Sequence, residues 1–302
     1  MLAILCPGQG AQHREMFDLL STLPAARAAL DEASAAAGYD VVAAARDAPD
    51  IFSNSLAQPL LCACAVAAWR ALAPHLPAPR LFAGYSVGEL AAHGCAGTLT
   101  IGETVRLAGR RAALMSAASA CAAGLLAVRG LAVRRVEVLC NACGAEVAIV
   151  NGEDHVVCGG PEAALAALAA EAAAQGGSAQ RLPIAVPAHT RWLAAAVPRF
   201  KEALDGSSIS APAVPVVAGF SAGLVRDRTA AIEALSRQIA QTVQWAHCLD
   251  TLHEHGCRVF LELGPGNGLT RMAQERFSDT RARSLIDFRG IAGAAAWVGR
   301  SL

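Results

Sequence analysis

Residues Gly84-Tyr85-Ser86-Val87-Gly88 set a serine between two glycines. A short apolar run, Leu81–Ala83, precedes them, and a helical pattern through Ala91 and Ala92 to about Cys95 follows. A strand that turns directly into a helix at a GxSxG pentapeptide leaves few folds open. The turn is sharp enough that bulky flanking side chains would clash, and it holds the serine strained, with its hydroxyl exposed. It also places the backbone N–H of Val87 at a helix N-terminus, where an oxyanion can be held. A bare pentapeptide is a weak signal, since glycine and serine are common. The strand–turn–helix context carries the reading of Ser86 as a nucleophile over a plain surface turn.

A serine nucleophile needs a base, and histidine is the usual one. Eight are present: His13, His75, His93, His155, His189, His247, His253 and His255. Chemistry alone does not choose among them. His189 stands in a Pro-Ala-His-Thr turn after a strand, where a loop can present a side chain.

The rest of the pattern predicts an α/β fold. Leu2–Cys6 reads as a buried strand ended by Pro7-Gly8. Helical patterns cover Ala25–Ala37, Gln58–Leu72 and Thr100–Ser116, the last with Thr100 and Glu103 spaced as a capping box. Strands at Gly124–Arg129, Glu146–Val150, His155–Cys158 and Ser178–Leu182 alternate with helices at Leu131–Cys140 and Pro161–Ala174. That order is βαββαβ, the ferredoxin-like arrangement. The expected layout is a large α/β-hydrolase-like domain with a parallel-sheet core, residues 1–122 and 187–302, and a small ferredoxin-like subdomain, residues 123–186. Gly206–Pro215 reads as a loop, Val259–Leu263 as a late strand, and the last dozen residues as loosely ordered.

The chain has 302 residues, 54% of them hydrophobic and many of these alanine, enough for a sizeable core of closely packed helices. Lys plus Arg equals Asp plus Glu at 25 each, so net charge points to neither a nucleic-acid nor a membrane partner. No clean 18-residue membrane span is expected. The N-terminal apolar run is too short for a signal segment and has no basic flank. Ten cysteines include Cys62 and Cys64 and a lone Cys140–Cys143 CxxC. Without a second pair at zinc spacing they read as reduced core thiols of a cytoplasmic protein, not as a metal site.

Seven ordered motifs resemble the malonyl-CoA:acyl carrier protein transacylase family from end to end. They are Pro7-Gly8-Gln9-Gly10-Ala11-Gln12, Gly84–Leu90, the helix with Val105-Arg106-Leu107, Arg110-Arg111 and Met115, Val147–Asn151, Val186–His189, Val243-Gln244-Trp245, and Glu262–Gly266. The resemblance implies that Ser86 is the nucleophile and His189 the base, and that Gln9 and Val87 give the oxyanion N–H groups. It implies that a backbone carbonyl at Gln244 orients the base. Asn151 and Arg111 join the substrate side, Arg111 as the clamp on an acyl carboxylate. A guanidinium forks onto a carboxylate bidentately and gains nothing from acetyl, so Arg111 favours malonyl. The neighbouring Arg110 is the alternative clamp.

The implied reaction takes malonyl-CoA and an acyl carrier protein as partners, with the coenzyme A thioester as substrate and no bound cofactor. Tyr85 and Ala11 depart from the fatty-acid wording and look like the epsilon subunit of malonate decarboxylase, which adds the other subunits of that enzyme as partners. A fatty-acid or polyketide transacylase is the alternative. Two rivals remain. A serine hydrolase needs an acid between Ser86 and His189, where Asp154 and Glu171 lie. A subunit kept only for assembly would have no use for the serine and histidine.

Overall fold

The computed structural model describes residues 1–119 and 121–302. Its ten strands, in chain order, are β1 (Leu2–Cys6), β2 (Leu81–Gly84), β3 (Ala123–Arg129), β4 (Glu146–Val150), β5 (His155–Pro161), β6 (Ser178–Arg181), β7 (Val216–Val217), β8 (Leu224–Val225), β9 (Val259–Glu262) and β10 (Arg281–Ser284). Six form one sheet in the order β10-β9-β1-β2-β7-β8. All its pairings are parallel except β7 with β8. β1 and β2 are buried along their whole length, as apolar strands at the centre of a parallel sheet must be. They run in register, Cys6 opposite Gly84, so their carboxyl ends finish side by side. That edge is where open α/β sheets place their ligands.

The helix Asn54–Leu72 begins earlier than its apolar pattern suggests and carries Pro59 near its start. The stretch Asn54–His75 is long and apolar enough to cross a bilayer, contrary to the expectation above. Here it packs among Pro24–Ala37, Val87–Cys95 and Ile101–Ala118. Its alanines let those helices approach closely, and most of its side chains join the main core.

The other four strands form an antiparallel sheet in the order β4-β5-β3-β6. Helices Val133–Cys143 and Glu162–Ala174 pack on it around a separate core that includes Leu126, Val128, Val136, Leu139, Val156, Leu165 and Leu168. This is the expected βαββαβ arrangement. Cys140 and Cys158 are buried in that core with their sulfurs 3.5 Å apart.

One expectation needs correction. The C-terminal residues Ile291–Ser301 form a helix that buries Ala294 and Val298. It is ordered because two small apolar side chains one turn apart dock on the core. The inner strand β7 and the edge strands β8 and β10 carry no sequence signal. Two of them are two residues long, and β10 reads Arg-Ala-Arg-Ser, with no apolar run.

Candidate active site

The elbow follows from one strained residue and two close approaches of backbone. Ser86 has φ 55° and ψ −121°, a conformation that L-residues rarely adopt. A Cβ on Gly84 would lie 2.1 Å from the carbonyl carbon of Gly88, and one on Gly88 would lie 2.1 Å from the carbonyl oxygen of Cys6. The elbow helix is thereby seated against the end of β1, with only hydrogen atoms to spare. Val87 opens the helix Val87–Cys95, so its N–H has no partner within the helix.

Ser86 Oγ lies 2.8 Å from Nε2 of His189. The histidine also has positive φ, 63°, and its backbone N–H donates to the carbonyl of Ile239 at 2.9 Å. Its Nδ1 lies 2.6 Å from the carbonyl oxygen of Gln238. A carbonyl only accepts, so Nδ1 carries the proton and Nε2 presents its lone pair to the serine. The ring is 1% exposed. Burial first, then the charge of Arg111, pulls its pKa down to about 3, against the opposing pull of the Gln238 carbonyl. The neutral, accepting form is therefore the resting form.

The carbonyl behind the His189 ring is thus that of Gln238, not Gln244. The backbone N–H of Gln244 donates to Gly219 O at 2.7 Å, and its carbonyl accepts from Cys248 N at 2.9 Å as the helix Trp245–Glu254 begins. Gln238, Gln241 and Gln244 repeat at three-residue spacing, and only the fold distinguishes them. The bond from His189 N to Ile239 O draws the histidine loop to the end of the helix Arg228–Arg237, where the preceding carbonyl meets the ring.

Arg111 is 2% exposed, and Arg110 beside it is exposed. Its two amino groups donate to Gln58 Oε1 at 2.8 Å and to Gln238 Oε1 at 3.0 Å. Burial lowers its pKa to about 10, with Cys62 and Glu89 opposing, so the guanidinium stays charged at neutral pH. Both partners are neutral amides. They orient the fork without carrying an opposing charge, and Glu89 is the acid whose field the guanidinium feels.

Gln9 follows β1 in the turn that carries Gly8, and a Cβ on Gly8 would lie 2.6 Å from Tyr85 O and 3.4 Å from Ser86 Cβ. That loop therefore lies against the elbow. Gln9 also lines a cleft of about 500 Å³ with Asn54, Phe52, Ala123, Arg181 and Ile184, drawn from both sheets' layers. Asn151 sits at the end of β4, with Nδ2 3.3 Å from His155 Nε2 and Oδ1 buried without a partner. It lines a second cavity of about 300 Å³ with Met272 and Arg276, and its side chain bonds to the hydroxyl of the elbow residue Tyr85. Tyr85 packs edge-on to Trp245, ring centroids 5.4 Å apart. Gln58, Gln238 and Glu89 were not expected at the site. Gln58 falls inside an apolar helical run, where one polar residue hints at a buried partner, and Gln238 has no signal of its own.

The parallel sheet with its serine elbow, and the antiparallel sheet inserted after it, define an α/β protein of the acyl transferase class. A family model described as "Acyl transferase domain" matches residues 4–288, and the chain belongs to that family, in its malonyl-CoA:acyl carrier protein transacylase branch. It is 32% identical to the malonyl CoA-acyl carrier protein transacylase of Salmonella typhimurium, over 94% of this chain and 95% of that one. The fold matches the crystal structure of FabD from Acinetobacter baumannii with a TM-score of 0.94 at 30% identity, covering 100% and 99% of the two chains. A malonyl-transacylase solved in complex with a type II PKS acyl-carrier protein matches at 0.93 and 28% identity, covering 98% and 99%.

Proposed function

We propose that this protein transfers a malonyl group from malonyl-CoA to the thiol of an acyl carrier protein through a malonyl ester on Ser86. His189 Nε2 takes the hydroxyl proton as Ser86 Oγ attacks the thioester carbonyl. The backbone N–H groups of Gln9 and Val87 hold the oxyanion, a contribution of about 3–4 kcal/mol per donor in such sites. The carbon–sulfur bond breaks, and coenzyme A leaves with the proton returned by His189. The carrier thiol then attacks the ester in the reverse sense. Arg111 holds the free carboxylate throughout. The cleft beside Gln9 suits the approach of a thiol-bearing arm, and Asn151, beside Tyr85, is assigned to the substrate side.

The observation that carries this reading is the buried, amide-bound Arg111 within the same cluster as the serine–histidine pair. An acetyl-transferring or hydrolytic site would have no reason to bury that charge. Labelling with radioactive malonyl-CoA tests it. The wild-type protein should acquire stoichiometric label, and Ser86→Ala should acquire none. Label persisting on the variant would refute the assignment.

The transacylase names of its relatives, one of them solved with a polyketide carrier, support a fatty-acid or polyketide setting over the malonate decarboxylase one. Tyr85 beside the nucleophile and Ala11 favour the decarboxylase setting. A panel of carrier proteins bearing phosphopantetheine or phosphoribosyl-dephospho-CoA separates the two, because one class should accept malonate far faster.

A further inference from the structure

Glu89 lies in the first turn of the elbow helix, is fully buried, and plays no part in the proton transfers above. Its Oε2 accepts from Gly219 N at 2.9 Å and from the side-chain Nε2 of Gln238. A Cβ on Gly219 would lie 2.8 Å from that oxygen, so the carboxylate is seated directly on a backbone that only glycine allows. The same Nε2 donates to the Ser86 carbonyl at 3.0 Å. The other end of the amide, Oε1, accepts from Arg111, and the main-chain carbonyl of Gln238 accepts from His189. One residue thus touches the nucleophile's backbone, the base and the guanidinium.

A glutamine amide is nearly symmetric in shape and opposite in chemistry at its two ends. Reversed, it would aim an NH2 group at the Arg111 amino group, donor against donor, and its oxygen at two acceptors. Arg111 would lose one of its two anchors and be left buried with an unmatched face. The Ser86 carbonyl and the Glu89 carboxyl oxygen both favour the observed orientation, as acceptors facing the amide's NH2 group. Resting on the malonyl-transfer reading, we propose that Glu89 is a positioning residue that fixes the side-chain amide of Gln238 and, through it, the aim of Arg111 at the acyl carboxylate. It makes the preference for malonyl over acetyl depend on a side chain that touches neither.

Two substitutions in the full chain separate this role from a counter-charge role. Glu89→Gln drops the charge and keeps an acceptor where Oε2 stands, with its NH2 taking the place of Oε1, which has no partner. Glu89→Asp keeps the charge and withdraws the acceptor by about 1.5 Å. The readout is the ratio of kcat/KM for malonyl-CoA to that for acetyl-CoA. The ratio should fall about tenfold in Glu89→Asp and stay within about threefold in Glu89→Gln. The reverse order would assign Glu89 as a counter-ion, and no change in either would leave it without a role; each overturns the proposal. The labelling rate of Ser86 by a fluorophosphonate, which carries no acyl carboxylate, should drop in neither variant by more than about threefold. A large drop there would mean general damage to the site and would also refute an effect specific to Arg111. Failure of the underlying reading is visible separately, as a wild-type protein with no malonyl preference.

Discussion

Arg111 donates to the side-chain oxygen of Gln58 at 2.8 Å, so a guanidinium that is 2% exposed rests on a neutral amide. A buried arginine normally finds a carboxylate, because desolvating the charge costs several kcal/mol. Here its second side-chain partner, Gln238, is neutral too. Two amides satisfy part of the fork and carry no opposing charge.

Replacing Arg111 by Ala should therefore cost malonyl transfer about 3 kcal/mol, or about a hundredfold in kcat/KM, while acetyl transfer changes by less than about threefold. Arg111→Lys should recover only part of the loss, since an ammonium cannot fork onto both carboxylate oxygens and both amides. Equal losses for the two acyl groups would remove the clamp.

No carboxylate orients His189; the Gln238 carbonyl does. Asp154→Asn and Glu171→Gln should each leave the rate of malonyl-serine formation within about threefold of wild type, whereas His189→Ala should lower it by roughly a thousandfold or more. A large loss from either acid would revive the hydrolase-type triad.

The elbow tolerates no added volume. Gly88→Ala would force a methyl group to within 2.1 Å of Cys6 O. The strand end and helix start must part, at a cost of about 3 kcal/mol or more. The melting temperature should fall by several degrees, and labelling of Ser86 should fall with it. An unchanged melting temperature would show that the contact can relax.

The fold class and both sheets were legible because the signals are local: apolar runs that become buried strands, alanine-rich helical spacing, the capping box at Thr100 and Glu103, and the βαββαβ order. Ser86 was legible because its turn needs glycines on both sides. What the sequence could not show depends on distant contacts. Gln238 and Gln244 have the same side chain, six residues apart, and only the docking of the histidine loop on Ile239 decides which carbonyl faces the imidazole. The order of the C-terminal helix likewise comes from Ala294 and Val298 meeting the core, which no local pattern announces.

The buried titratable groups predict an unusual dependence of stability on pH. His93 and His189 have their pKa lowered from 6.5 to about 3, chiefly by burial. Between pH 6.5 and 3 the unfolded chain binds the protons that these rings refuse, so each costs stability as pH falls through that window. Glu89 and Glu262 are raised from 4.5 to about 7, again chiefly by burial. The folded protein holds their protons between pH 4.5 and 7, so each costs stability as pH rises through that window. Each group changes stability by about 1.4 kcal/mol per pH unit within its own window. From pH 4.5 to 6.5 two rising and two falling contributions oppose, and the curve should be nearly flat. Below 4.5 the glutamates no longer differ between states, the histidines act alone, and stability should drop steeply toward pH 3. Urea unfolding at half-unit steps from pH 3.5 to 7.5 measures this. A steady decline beginning at 6.5 would mean that the glutamates titrate normally and that Glu89 is ionised throughout the neutral range.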